Sequence, residues 1–319
     1  MSYAEKLRST DQKYRLITRS DMDGLVSAVL LKDLDLVDEV TFAHPKDMQD
    51  GIIDITKGDI TTNLPYNKNV YLSFDHHLSE VERLGKQPDN LILDPNAPSA
   101  ARVVYEYFGG ENQFPTISQQ MMDAVDKADS AAFTREDILN PTGWELLSFI
   151  MDARTGLGRF RNFRISNYQL MMELIDYCRE VSDIDSILDL PDIKERVDLY
   201  FEHEEKFKDQ LKRCTQVDGS VAIVDLRNEQ TIWPGNRFMI YALNPDANIS
   251  VHVMWGKNRQ NTVLAVGKSI LNKTSNTNIG DLMLKYGGGG HEAAGTCQVD
   301  NLRSNQILQE VIDKIKNDG

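Results

Sequence analysis

The apolar segment 14–18 (YRLIT) runs into a polar RSDMDG and then into GLVSAVLLKDLDLV, where Leu25, Val29 and Leu30 recur at helical spacing. That order predicts a strand, a loop and a helix. Further strands are predicted at residues 39–43 (EVTFA), closed by Pro45, and at 69–74 (NVYLSF), closed by the polar triplet Asp75-His76-His77. Strands alternating with helical stretches indicate a parallel sheet built from βαβ units. From residue 99 to 178 the pattern is mostly helical, punctuated by Pro115 and Pro141. Residues 192–214 form a long, highly charged helical stretch with few core positions, suited to connecting two domains. Beyond Val217 the texture becomes β-rich (SVAIVDL, ISVHVMW, NTVLAVGKS). A helix-like IGDLMLKY, four glycines at 287–290 and a last amphipathic helix (NQILQEVIDKIKN) follow.

The expected fold class is therefore α/β. An N-terminal parallel-sheet domain over residues 1–190 is joined by a connecting helix, 191–216, to a smaller α/β domain over 217–319. A chain of 319 residues fits two domains, at roughly 100–200 residues each. Lys and Arg number 35 against 49 Asp and Glu, a net charge of −14. That balance argues against a binder of duplex DNA or of membrane surfaces, which need a basic stripe. It leaves room for a phosphorylated substrate, because acidic side chains gathered around divalent cations create a local phosphate site. Cys178, Cys214 and Cys297 are too widely spaced for a zinc motif or a disulfide framework and read as reduced thiols. The N-terminus lacks the apolar core of a signal peptide, and no apolar run approaches the roughly 20 residues of a membrane span. The expectation is a soluble, cytoplasmic protein.

Three clusters carry chemistry. Asp75-His76-His77 ends an apolar strand, and in open α/β sheets polar groups at strand carboxyl ends point into a ligand cleft; taken alone, the triplet also fits a polar turn. Asp21 and Asp23, followed by Gly24, leave the first strand, and two carboxylates one residue apart can serve two hard cations. Glycines 287–290 with His291, continuing into Glu292-Ala293-Ala294-Gly295, should exclude ordinary strand or helix and let backbone N–H groups approach phosphate oxygens.

In this order, the Asp-X-Asp-Gly, Asp-His-His and GGGGH motifs resemble the DHH phosphoesterase superfamily with its DHH-associated C-terminal domain. That family includes oligoribonucleases, cyclic-dinucleotide phosphodiesterases, RecJ-type exonucleases and, more distantly, pyrophosphatases and exopolyphosphatases. The resemblance implies two manganese ions, a role that Mg²⁺ or Co²⁺ could also fill, with Asp21, Asp23, Asp75 and His76 as ligands. His77 would contact the scissile phosphate. A bridging aspartate is expected before the triplet, with Asp59 preferred over Asp47. A last ligand is expected at Asp129, in a pattern resembling Asp-Thr-Gly-X-Phe, with Asp126 as runner-up. Ile17 stands where several branches carry a histidine ligand.

Gly288, Gly289, Gly290 and His291, aided by Lys268 and Arg237, would hold the substrate in the C-terminal domain. Low basicity favours a small phosphorylated substrate: a short single-stranded RNA, a dinucleotide or a phosphonucleotide, cleaved by a metal-activated water. Two alternatives are an exopolyphosphatase-like hydrolase and a degenerate, non-catalytic nucleotide sensor. The sequence is compatible with a homodimer. His44, His203 and His252 read as turn or structural residues.

Overall fold

The computed structural model describes residues 11–160 and 162–319, together with Tyr3 and Leu7. By contacts the chain divides into two compact units. One holds Met1–Ala132, Thr142–Ala153 and Leu157–Asp198, and the other holds Phe133–Pro141, Arg154–Gly156 and Leu199–Gly319.

The first unit is built on a five-stranded sheet: β1 (Tyr14–Thr18), β2 (Val37–Phe42), β3 (Asp59–Thr62), β4 (Leu72–Asp75) and β5 (Leu91–Leu93). The spatial order is β2-β1-β3-β4-β5, and every pairing is parallel. Its helices are α1 (Met22–Asp33), α2 (Pro45–Gln49), α3 (Leu78–Leu84), α4 (Ala100–Phe108) and α5 (Gln119–Asp129). In the second unit α6 is Arg135–Leu139; α7 (Gly143–Met151), α8 (Asn167–Glu180) and α9 (Ile184–Leu188) return to the first. Helix α1 packs against α4, α5 and α8. It is buried without a break from Met22 to Leu31, as a helix apolar on all sides must be. Ser118 caps α5 by accepting the Met121 N–H, which fixes the start of the helix that ends at Asp129.

Strands β3 and β5 have no counterpart in the hydrophobic pattern. β3 reads DITT, and its polar side chains are buried by pairing with one another. Thr62 Oγ1 donates to Thr18 Oγ1 at 2.7 Å, and Thr61 Oγ1 donates to Ser73 Oγ at 2.9 Å. A central strand whose polar groups are satisfied internally loses the apolar alternation that sequence reading depends on.

The charged stretch forms one helix, α10 (Pro191–Cys214), which gives its first residues to one unit and the rest to the other. The second unit carries a six-stranded mixed sheet: β6 (Thr215–Asp218), β7 (Val221–Asp225), β8 (Ile249–Trp255), β9 (Thr262–Lys268), β10 (Gly289–His291) and β11 (Ala294–Val299). The order is β10-β11-β9-β8-β7-β6. Helix α11 (Met239–Leu243) precedes β8, and α12 (Ile279–Leu284) and α13 (Ser304–Asp318) close the chain. Ile249, Val251 and Val253 of β8 form an apolar cluster with Leu282, Met283, Val311 and Ile315 of those last two helices. One expectation is overturned here: the glycine run does not exclude strand, since Gly289–His291 pairs antiparallel with β11. Its neighbour supplies the ladder hydrogen bonds that offset glycine's entropy cost. No helix among the described residues is long and apolar enough to cross a membrane.

Candidate functional site

The strand order turns back on itself between β1 and β3, and ligands of open parallel sheets gather at the carboxyl ends of strands at such a point. Four stretches leave that edge: Arg19 to Asp23 after β1, His44 after β2, Asn63 after β3, and Asp75-His76-His77 at the end of β4. The Arg19 to Asp23 loop closes tightly. A Cβ on Gly24 would lie 1.9 Å from the Arg19 carbonyl oxygen, so only glycine fits. Asp21 caps α1, its Oδ1 accepting the Gly24 N–H at 3.0 Å, and its Oδ2 lies 3.1 Å from Arg19 Nε.

Asp23 is 1% exposed. Its two oxygens accept the N–H groups of Ala101 at 2.7 Å and Ala100 at 3.0 Å, at the N-terminus of α4, where the helix dipole favours a carboxylate. Burial nevertheless raises Asp23 well above the ordinary carboxylate range, and the nearby charges of Asp129 and Asp21 push the same way. An added cation would relieve that repulsion.

His76 meets this carboxylate from β4. Its Nδ1 lies 3.1 Å from the Ala97 carbonyl oxygen, so Nδ1 carries the proton, which leaves Nε2 as the ring's lone pair when neutral. Nε2 is 2.8 Å from Asp129 Oδ2. Burial disfavours the imidazolium, but Asp129 and Asp23 overcome this and raise His76 to about 9. Asp23, His76 and Asp129 each offer a ligand atom, all within 4.8 Å of one another. Two carboxylates and an imidazole suit manganese or another divalent cation, and the crowding of like charges around the buried Asp23 is what such a cation would offset.

Asp75 does a different task. Its Oδ1 lies 2.8 Å from His77 Nδ1 and accepts the His76 backbone N–H at 2.9 Å, so it orients the His77 ring and fixes the backbone of the triplet. His77 is thereby held with Nε2 outward, its side chain 44% exposed. Asp126 is turned away from the cluster: it accepts from Arg102 Nε and Nη2 at 2.9 and 2.6 Å and from Ser99 Oγ at 2.7 Å. Of that pair, only Asp129 reaches His76.

Asp59 is not brought to the cluster. It opens β3 rather than closing it, and in a parallel sheet that is the opposite edge from the triplet. There it accepts from Arg15 Nε at 2.8 Å and from the Thr56 N–H at 2.6 Å, so its charge is used in holding the strand. Asp47 lies in α2, whose cap is His44, with Nδ1 accepting the Lys46 N–H. The residue that does leave β3 at the site's edge is Asn63. It is 1% exposed, has φ +54°, and among the described residues neither atom of its carboxamide has a hydrogen-bond partner. A buried polar group left so costs roughly 1–3 kcal/mol, which makes it a further donor at this edge. Sequence reading missed it because β3 was unrecognised, so no strand end was assigned there.

In the second unit, Gly288 and Gly290 answer to packing. A Cβ at 288 would lie 2.1 Å from the Thr296 carbonyl oxygen, and one at 290, where φ is +157°, 2.3 Å from that of Ala294. Gly289 has open space around it. His291 is exposed, with Nδ1 accepting the Ala293 N–H at 3.2 Å. Lys268 is ion-paired to Glu292 at 3.1 Å. The Arg237 guanidinium lies 4.1 Å from the Phe238 ring centre. His203 is buried and rests against Trp233.

No protein-family model and no curated protein matches the chain. Among solved structures, a pGpG-specific phosphodiesterase, PggH from Vibrio cholerae, is 58% identical, covering 96% of this chain and 100% of that one, with a TM-score of 0.86. The DHH domain of a protein described as a member of a ribosomal-protein family superposes with a TM-score of 0.54 at 10% identity, over 98% of this chain and 89% of that one. The chain belongs to the DHH phosphoesterase superfamily. RecJ from Thermus thermophilus, solved with Mn²⁺, shares the fold at a TM-score of 0.50 and 13% identity, over 98% of this chain and 53% of that one. Membership brings the expected reaction class with it, hydrolysis of phosphate esters.

Proposed function

We propose that the chain is a divalent-cation-dependent phosphodiesterase of linear dinucleotides of the pGpG kind. The carrying observation is the convergence of Asp23, His76 and Asp129 at the carboxyl edge of the sheet, in a chain 58% identical to a pGpG-specific phosphodiesterase. These three residues hold one ion. Asp21, Asp75 and the neutral carboxamide of Asn63 hold a second more weakly, because Ile17 lies within an apolar cluster and offers it no ligand. Mn²⁺ is the preferred ion, with Mg²⁺ or Co²⁺ able to replace it. When bound, the ions supply an activated water and neutralise the nonbridging phosphate oxygens.

The protein's own groups do the rest. The Ala100 and Ala101 N–H groups fix Asp23, and the Ala97 carbonyl aims His76. Asp75 keeps the Nδ1 proton of His77 in place, so the outward Nε2 meets the phosphoryl group. As imidazolium it donates to an oxygen on which charge develops, and can pass its proton to the leaving 3′-oxygen. In the second unit, Gly289 and His291 are open to solvent and are the groups we assign to ligand binding, with Lys268 and Arg237 as the candidates for added charge. The pairing of Lys268 with Glu292 and the net charge of −14 favour a short substrate over a polyphosphate or a long RNA. Di- to pentaribonucleotides fall within that range, and the free thiols of Cys178, Cys214 and Cys297 fit a cytoplasmic setting.

The test is to incubate purified protein with Mn²⁺ and, separately, pGpG, pApA, a cyclic dinucleotide, a five-residue RNA, pyrophosphate and polyphosphate. Release of mononucleotide fastest from the linear dinucleotides is expected. Turnover of polyphosphate alone, or tight binding of one nucleotide without any product, would overturn the proposal.

A further inference from the structure

The carboxyl end of β1 carries a cation of the chain's own. Arg19 is the first residue after the strand, and its Nε lies 3.1 Å from Asp21 Oδ2. The other oxygen of Asp21, Oδ1, accepts the Gly24 N–H at 3.0 Å as the cap of α1. Both oxygens are thus engaged, one in starting a helix and one in holding a guanidinium. The backbone cannot relax this arrangement, because the Arg19 carbonyl oxygen is pressed against Gly24, where a Cβ would lie 1.9 Å away. Among the described residues Asp21 is the one acid paired with Arg19.

The two cation positions feel this pair differently. Asp23, His76 and Asp129 supply the first, and none of them is paired with Arg19. The second depends on Asp21, Asp75 and Asn63. Asp75 Oδ1 is already occupied by His77 and the His76 backbone N–H, Asn63 is uncharged, and Ile17 is sealed in an apolar cluster. Asp21 Oδ2 therefore carries much of the charge that position can offer, and an ion arriving there has to displace a group of its own sign. A part-exposed ion pair is weak enough to be given up. A phosphate is the better partner for the displaced guanidinium, whose planar fork of N–H groups matches two phosphate oxygens at once.

We propose that Arg19 gates the second cation position: it holds Asp21 Oδ2 while no substrate is bound and transfers to a nonbridging oxygen of the substrate phosphate, which frees Asp21 for the ion. The proposal rests on the phosphodiesterase reading above and adds a coupling to it. Phosphate and the second ion each raise the affinity for the other by the same factor, so the site keeps one cation until there is a phosphate to cleave.

The experiment is calorimetric titration of metal-free, full-length protein with Mn²⁺, with and without GMP as the phosphate probe. Without GMP, wild-type protein should show a second site at least tenfold weaker than the first. Arg19→Gln should leave the first site unchanged and tighten the second about fivefold, the scale of a part-exposed ion pair. Arg19→Lys, which keeps the charge, should stay near wild type. GMP should tighten the second site more in wild type than in Arg19→Gln; its oxygens are offered to the ion in both proteins, so the difference between them reads Arg19. Equal second-site affinities in the two proteins, with and without GMP, overturn the proposal, as does a single site in both under all conditions. If wild-type protein takes up no Mn²⁺ at all, it is the cation-dependent reading that has failed. A second measurement needs no variant to fold: in wild-type protein with labelled arginine and Mg²⁺, GMP should shift the Arg19 Nε–H signal and guanosine should not. Equal shifts from both, or none from GMP, overturn the phosphate contact.

Discussion

Gly288 and Gly289 are neighbours in one run, yet the structure gives them different work, and a pair of alanine substitutions separates the two. A methyl at 288 would sit 2.1 Å from the Thr296 carbonyl oxygen and 2.6 to 2.7 Å from Cβ and Cα of Cys297. These are backbone and near-backbone atoms of β11, so no side chain can swing away. Overpacking of this kind costs about 1–3 kcal/mol, and the immobility of the neighbours places Gly288→Ala near the top of that range. At about 2–4 °C per kcal/mol for a domain of this size, melting should fall by roughly 5–10 °C. A methyl at 289 meets nothing within 4 Å and projects from the same face as His291. Gly289→Ala should therefore leave stability unchanged or raise it by a few tenths of a kcal/mol through the unfolded chain. Its KM for pGpG should rise about fivefold, equivalent to roughly 1 kcal/mol. Calorimetry and initial-rate kinetics on the two variants read both quantities. Equal melting temperatures for the pair would refute the packing argument, and an unaltered KM in Gly289→Ala would refute its assignment to ligand binding.

Other substitutions separate neighbours in the same way. Asp126→Asn removes the charge that Arg102 and Ser99 address, so chemical denaturation should show a loss of about 1.5–3 kcal/mol. Its Mn²⁺ affinity by titration calorimetry should stay near wild type, while Asp129→Asn should lose at least tenfold. His252 has a folded pKa of about 4 against 6.5 when free. Its contribution is complete above pH 6.5 and is lost as pH falls through 4, an effect of at most about 3 kcal/mol, less for the part of the ring that water reaches. Urea unfolding of His252→Asn should accordingly show a flatter acid limb between pH 6.5 and 4, and an identical limb would contradict it. Gly24→Ala, with its 1.9 Å clash against the Arg19 carbonyl, should weaken Mn²⁺ binding by displacing the loop that carries Asp21 and Asp23. Unchanged affinity would count against that loop holding the ion.

What the chain's pattern revealed depended on where its polar groups go. The β1-loop-α1 entry was legible because apolar residues change period at Asp21, and the triplet was legible because an apolar strand ends on it. Asp129 was preferred over Asp126 on its resemblance to the Asp-Thr-Gly-X-Phe pattern; that Arg102 engages Asp126 is visible only in the structure. Strand β3 was opaque because Thr61 and Thr62 bury hydroxyls that bond to Ser73 and Thr18 across the sheet. With that strand went its direction, and so Asp59 was assigned to the wrong edge. Asn63, uncharged and preceded by threonines, carried no titratable signal at all. The glycine run was read as a phosphate cradle, whereas two of its members are fixed by the approach of β11. That approach depends on a partner strand, which local sequence does not display.

The proposed activity stands on Asp23, His76 and Asp129 together holding a divalent cation. That binding is tested most directly by an anomalous difference map, collected at the manganese edge from a crystal soaked in Mn²⁺. A peak at bonding distance from all three residues, lost in Asp129→Asn, is expected. A strong peak elsewhere with none at this cluster would contradict it.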